Sequence, residues 1–268
     1  MRNLILAALL LLAQLSAQPA KAAERILALT PHVCEILFAI GAGDDVVGAG
    51  EYCDYPEAVR SLPRVANHRQ IYIEAALRLR PTMAVGLRDN LPGLARLGSA
   101  GVKLVSTNPL TVQDMLADML RLGEATGHDG AAQAAVHALR QRLQAMKQMQ
   151  PDVHRRVYYE IWHDPLMAAG GASLISNVLD ELGLVNVFAD VQMEGPRVSV
   201  ESVLLARPDI IMLSSETDIA ARKAFWHRWF GENTPRFVIA DADLLHRPGP
   251  RLIEGMAALQ SALGQTRE

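Results

Sequence analysis

The chain has 268 residues, half of them hydrophobic and 21% charged, with a formal net charge of −3 at pH 7. This is globular composition, long enough for one large or two modest cores, and it excludes a disordered chain. The near-neutral charge, without blocks of like charge, leaves no electrostatic footprint for nucleic acid or an anionic membrane surface.

Arg2 precedes an apolar run over residues 4–15 that is too short for a membrane-spanning helix. Ala20-Lys21-Ala22 then presents the small-x-small pattern of a signal-peptidase site. The expectation is a signal peptide over 1–22, cleaved after Ala22, and a soluble exported chain from Ala23. No cysteine follows the apolar run to carry a lipid, and no later apolar stretch reaches the roughly 18 residues of a membrane span.

Residues 25–29 read as a buried strand, 33–40 as a helix ended by Gly41-Ala42-Gly43, and 46–48 as a second strand. The glycines follow a helix and lack the GxGxxG spacing, so they carry no dinucleotide loop. Residues 51–70 are polar and loop-like. A helix over 73–80 closes before Pro81; a strand (82–86), a helix (91–100), a strand (102–105) and a helix (111–126) follow. In the last of these Thr111 is the cap and Asp114 lies in the first turn. Strand alternating with helix predicts a mostly parallel sheet with helices on its faces.

A long helix is expected over 128–151. Val136, Leu139, Leu143, Met146 and Met149 recur at three- and four-residue steps and form one apolar stripe, with Arg140, Arg142, Gln144 and Lys147 between them. Asp129 near its start and Lys147 near its end suit the helix dipole, and Pro151 stops it. Alternation then resumes: a strand over 156–161, a glycine-bearing loop over 162–172, helices over 174–182 and 200–206, a strand over 209–213, a helix over 219–229, a strand over 236–240 and a helix over 251–263.

The two halves echo each other. Residues 73–85 match residues 200–212 without a gap, pairing Glu74 with Glu201, Arg80 with Arg207 and Pro81 with Pro208. Each unit is a short helix, a proline break and a buried strand. The expected fold is therefore α/β: two similar lobes with mostly parallel sheets, at 23–127 and 152–268, joined by one long helix over 128–151, with a ligand cleft between them. A single helical joint resists wide hinge opening, so closure should be modest.

Cys34 and Cys53 are the only cysteines, and both lie in the exported part. Two buried thiols are one reading; a disulfide, closing a loop of about 20 residues and contributing roughly 3 kcal/mol, is the favoured one.

Several motifs together resemble the periplasmic binding proteins with a helical backbone that deliver metal chelates to ABC importers, and most closely the cobalamin-binding proteins among them. They are Thr30-Pro31, Glu51-Tyr-Cys-Asp-Tyr-Pro56, the two Glu-helix-Arg-Pro-strand units, Val198-Ser-Val-Glu201 and Arg247-Pro-Gly-Pro-Arg251. The resemblance implies a small-molecule metal chelate as ligand and a permease dimer with its ATPase as partner, with the binding protein a monomer and no cofactor. It also implies that Glu74 and Glu201 dock onto permease arginines, since two rigidly spaced carboxylates set orientation and encounter rate. Each glutamate alone reads as an ordinary helix-start acid stabilised by the dipole, and it is their twinning that favours docking.

The ligand-facing candidates lie on loops that follow the strands or precede the last helix: Pro31, His32, Tyr52, His68, Trp162, His163, His246 and Arg247. Aromatic and imidazole side chains can cover a flat macrocycle and exclude water, and His68, His163 or His246 could reach its metal centre. No direct protein metal site is expected; the His32–Glu35 pair reads as a helix start, lacking a third ligand. Related cobalamin binders often place tryptophans where this chain has His68 and Gly195. Haem, a ferric siderophore and a nickel or cobalt chelate are therefore alternatives to a corrinoid. The chain contains no GxSxG, HExxH, GxxxxGK[ST] or CxxC, so an enzyme is not expected; a secreted hydrolase on a similar scaffold is the competing class.

Overall fold

A computed structural model describes residues 24–87, 92–149 and 154–264. The leader expected at 1–22, and Pro151 with it, fall outside the described residues.

The first lobe runs β1 (Ile26–Ala28), α1 (Pro31–Ala39), β2 (Val46–Gly50), β3 (Arg64–Ala66), α2 (Ile73–Arg78), β4 (Met83–Leu87), α3 (Leu94–Ser99), β5 (Lys103–Thr107) and α4 (Val112–Thr126). Its five strands form one wholly parallel sheet in the order β3-β2-β1-β4-β5. Central β1 is buried throughout, as a parallel strand covered on both faces must be. The α4 cap is the predicted one: Asp114 N–H donates to the Thr111 hydroxyl and Thr111 N–H donates to the Asp114 carboxylate, each at 3.0 Å.

Gly127 ends α4 in a left-handed turn (φ 79°), and α5 (Asp129–Gln148) starts at once. The two helices cross so closely at Gly123 that a Cβ there would stand 2.4 Å from the Ala132 Cβ. Val136, Leu139, Leu143 and Met146 are buried as the stripe predicted. Met149 is not: the helix has already ended, and the side chain is 66% exposed. Helix α5 is tied at both ends. His128 approaches Asp45 of the first lobe at 3.8 Å. At the other end Lys147 pairs with Glu181 at 2.7 Å, and the Gln260 amide donates to the Met146 carbonyl at 2.8 Å.

The second lobe runs β6 (Arg156–His163), β7 (Leu166–Ala168), α6 (Leu174–Glu181), β8 (Val185–Asn186), α7 (Val200–Ala206), β9 (Ile210–Ser214), α8 (Ile219–Phe230), β10 (Arg236–Ala240), α9 (Ala242–Leu245) and α10 (Leu252–Gly264). Its sheet is ordered β10-β9-β6-β7, with β8 beside the start of β6; only β7 is antiparallel. Three short strands and one short α-helix depart from the sequence expectation. β3 lies inside the stretch read as loop, β7 inside the loop over 162–172, and β8 and α9 in connections left unassigned. None is longer than four residues, too few to establish a periodicity.

The period-two alternation of the strands divides the interior. Ile26, Ala28, Val157 and Tyr159 join the stripe of α5 in one apolar core that runs continuously from lobe to lobe. Leu27 and Tyr158 point the other way, into separate outer cores beneath α2–α3 and α7–α8.

The sequence echo is also a structural one. Arg80 and Arg207 both adopt positive φ (46° and 45°), the two non-glycine residues that do so among those described. Arg25 donates two hydrogen bonds to the Leu79 carbonyl (2.9 and 2.8 Å), and Arg156 donates two to the Ala206 carbonyl (3.3 and 2.9 Å). The Arg25 and Arg156 amides then donate to Thr82 Oγ1 and Asp209 Oδ2, the residues just after the two prolines. The αL turn before each proline is held by the same lock, so the two helices that carry the twin glutamates end alike.

Candidate functional site

Loops leaving the carboxyl ends of the strands place the polar side chains. After β2, the Tyr52 hydroxyl lies 3.2 Å from His68 Nδ1, and Arg69 Nε donates to His68 Nε2 at 3.1 Å. With Nε2 accepting, Nδ1 carries the proton and donates to Tyr52. Both rings are exposed, Tyr52 at 54%. At the end of β6, Trp162 stacks on His163 with centroids 5.5 Å apart and planes at 30°. Its indole N–H donates to the Asp164 carbonyl at 2.8 Å, which holds the ring out with 53% of its surface exposed.

The lobes meet through two charged clasps. The Arg247 guanidinium donates to both oxygens of Asp54 across the joint (2.6 and 3.2 Å) and to Asp243 within its own lobe (2.7 Å). Arg251 donates to Glu35 Oε1 at 2.6 Å and lies 4.1 Å over the Tyr55 ring. Both Asp54 and Tyr55 come from the Glu51–Pro56 motif, and both arginines from the Arg247–Arg251 motif. The Arg247 hydrogen bond holds the exposed-side Asp54 carboxyl below its ordinary pKa. Burial pushes the Glu35 carboxyl above its own, against the pull of Arg251. Gly249 packs closely on this clasp, where a Cβ would stand 2.7 Å from Glu35 Oε2.

A cavity of about 370 Å³ opens between the lobes. Asn108, Pro109 and Leu110 line it from the first lobe; Ile161, Leu174, Glu194, Gly195, Leu245 and His246 line it from the second. A second cavity of about 110 Å³ adjoins it through Ile161 and is lined by Trp162, His163, Glu160, Glu216 and Thr217. Its base is a buried triad, in which Arg222 donates to both Glu160 oxygens (2.6 and 2.9 Å) and the Trp226 indole donates to Oε2 (2.7 Å).

The predicted residues therefore separate into groups. His246 lines the cavity of about 370 Å³, Trp162 and His163 that of about 110 Å³; Tyr52 and His68 form an exposed pair, and Arg247 closes the joint. Pro31 is the first residue of α1. His32 stands apart: it is 3% exposed, and Thr107 Oγ1, which donates to the Gly86 carbonyl, accepts from its Nε2–H at 2.8 Å. Its Nδ1 then accepts from Thr30 Oγ1 at 3.2 Å, and burial lowers its pKa to about 4. Both nitrogens being used, His32 is a neutral structural imidazole out of a ligand's reach. Glu35, read from sequence as its partner, belongs to Arg251. Cys34 and Cys53 are bonded, with Cα atoms 6.2 Å apart.

Among the described residues no cluster of three or more His, Cys, Asp or Glu could hold a metal ion, and no helix is long and apolar enough to cross a membrane. Residues missed from the sequence are Glu35, Asp54, Asp243 and Arg251 in the clasps and Asn108 and Glu194 in the cavity. Opposite charges in two motifs from opposite halves of the chain were the available clue to the Arg247–Asp54 clasp; Glu35 lies in neither motif.

A family model described as periplasmic binding protein matches residues 26–242. The chain belongs to this family. Among its relatives, the vitamin B12-binding protein of Vibrio cholerae is 32% identical over 241 residues, covering 87% of each chain. That of Photorhabdus laumondii is 31% identical over 252 residues, covering 92% of this chain and 90% of the relative. The crystal structure of the periplasmic vitamin B12 binding protein of V. cholerae superposes with a TM-score of 0.78 at 32% identity, over 91% of this chain and 99% of that one. The haem binding protein of the same organism reaches a TM-score of 0.81 at 21% identity, over 91% and 100% of the two chains, a likeness of fold. The periplasmic binding protein fold of two α/β lobes about a helical joint is thus the one expected.

Proposed function

We propose that this periplasmic binding protein captures a corrinoid of the cobalamin type between its lobes, without chemical turnover, and hands it to an ABC importer permease. The observation that carries the reading is the likeness to vitamin B12-binding proteins at 30% identity or more over nearly the whole chain. The cavity of about 370 Å³ seats one edge of the macrocycle. The exposed rings of Tyr52, His68, Trp162 and His163 cover the rest, and Arg247 holds the floor. The signal peptide over 1–22 directs export, and the lobes are taken as 23–127 and 152–268 about the helix over 128–151.

Glu74 and Glu201 serve as the docking carboxylates. Both are exposed in the first turns of corresponding helices, each held on its own lobe by an arginine lock, and one apolar core links the two lobes. The permease dimer is expected to offer two basic pockets at that spacing. The test is the visible absorption spectrum of the protein purified without added ligand from its native cells. A corrinoid band supports the reading; a haem Soret band or a ferric-siderophore band replaces it.

A further inference from the structure

His246 is the one predicted histidine that lines the cavity of about 370 Å³, and its ring is already committed on one side. The Tyr159 hydroxyl lies 2.8 Å from His246 Nε2, with the two rings edge-to-face at 5.9 Å. Tyr159 is 1% exposed and sits on the inner face of β6, within the core shared by the lobes. Among the described residues the hydroxyl has no other partner, and neither has His246 Nδ1.

A buried hydroxyl hydrogen left unbonded is costly, and Nε2 is the acceptor in reach. Tyr159 stays protonated, because burial and then the carboxylates of Glu216 and Asp241 push its pKa up. The O–H therefore donates to Nε2. A neutral imidazole that accepts at Nε2 carries its proton on Nδ1. Burial lowers the His246 pKa against the opposing charges of Glu216 and Asp243, which keeps the ring neutral near pH 7.

We propose that Tyr159 is a positioning residue that fixes His246 as its Nδ1–H tautomer, so that the imidazole meets a bound ligand as a hydrogen-bond donor to an oxygen acceptor and not as a metal ligand. The inference rests on the reading of the interlobe cavity as the ligand site. It narrows the ligand to one that presents an amide or carboxylate oxygen at the His246 wall. It also withdraws His246 from the candidates for axial contact with a chelated metal.

The test has two arms. Nitrogen NMR of the ligand-free protein, ¹⁵N-labelled at histidine, should show His246 with an unprotonated Nε2 and a protonated Nδ1. Tyr159→Phe, which keeps the ring and loses the hydroxyl, should release the ring toward the Nε2–H form. Cyanocobalamin titrations should then show about a tenfold loss for Tyr159→Phe and for His246→Ala, the worth of one hydrogen bond. The double variant should lose little more than either, since both changes remove the same interaction. A wild-type Nε2–H tautomer overturns the assignment, as does an unchanged tautomer in a folded Tyr159→Phe. Losses that add fully in the double variant overturn the positioning role. A wild-type protein with the Nδ1–H tautomer and no affinity for cyanocobalamin refutes the corrinoid reading and leaves the tautomer standing.

Discussion

Replacing Arg251 with methionine should destabilise the protein in a way that grows with pH. Glu35 is 3% exposed; its Oε1 accepts from Arg251, and its Oε2 has no hydrogen-bond partner. Removing the partner of a buried charge costs about 3–5 kcal/mol. Glu35 can escape part of that cost by taking a proton, so the loss at pH 7.5 should fall at the lower end, about 3 kcal/mol. Roughly 1 kcal/mol of it is the lost contact of Arg251 over Tyr55, which does not depend on pH. The remainder follows Glu35. Burial already raises its folded pKa, and the hydrogen bond and charge of Arg251 are the chief opposing causes. Without them the folded pKa rises further. A carboxyl raised in the folded state favours folding below its unfolded pKa of about 4.3 and loses that contribution as pH climbs through the folded value. The deficit of the variant should thus be small at pH 5 and full at pH 7.5. For a chain of this size about 3 kcal/mol corresponds to a fall in Tm of roughly 6–12 °C. Thermal unfolding by circular dichroism at the two pH values measures it, and Glu35→Gln in the Arg251→Met background should recover most of the pH-dependent part. An equal fall at both pH values, or no fall at pH 7.5, would refute the reasoning.

Other outcomes are accessible with standard measurements. Glu74→Ala with Glu201→Ala should abolish permease-dependent uptake in cells and leave ligand affinity unchanged; normal uptake removes both residues from docking. Reducing the Cys34–Cys53 bridge, whose ends lie 19 residues apart, should lower stability by about 3 kcal/mol in urea unfolding, with no change in the ligand-free spectrum. Trp162→Ala should weaken cyanocobalamin binding about fivefold, the loss of one stacking face worth roughly 1 kcal/mol. Its Tm should stay within about 2 °C of the wild type, because the indole is largely in solvent.

The parts of the fold legible in the sequence were those written locally. The stripe from Val136 to Met146, the Thr111–Asp114 cap and the gap-free echo of Glu74-Arg80-Pro81 in Glu201-Arg207-Pro208 each needed only neighbouring residues. Met149 continued the spacing but not the helix, and nothing in the spacing marks where the last turn ends. β3, β7 and β8 are too short to carry a pattern; β7 exists because Leu166–Ala168 folds back on β6, a tertiary event. The site was less legible than the fold. Arg251 and Glu35 are 216 positions apart, and Arg247 and Asp54 are 193 apart. The motifs of Asp54 and of the two arginines could be read, but the pairings depend on how the lobes meet. His32 shows the converse, a histidine at a strand's carboxyl end that the fold turns inward to Thr107. Tyr159 reads as an ordinary core residue of β6, and its hydroxyl matters through His246, which lies 87 positions away.

The most direct test of a corrinoid held between the lobes is isothermal titration of the purified mature chain with cyanocobalamin, beside haemin under the same conditions. The account predicts saturable one-to-one binding of cyanocobalamin, with the ligand recovered unaltered. Saturation by haemin with no heat from cyanocobalamin, or chemical conversion of the ligand, would contradict it.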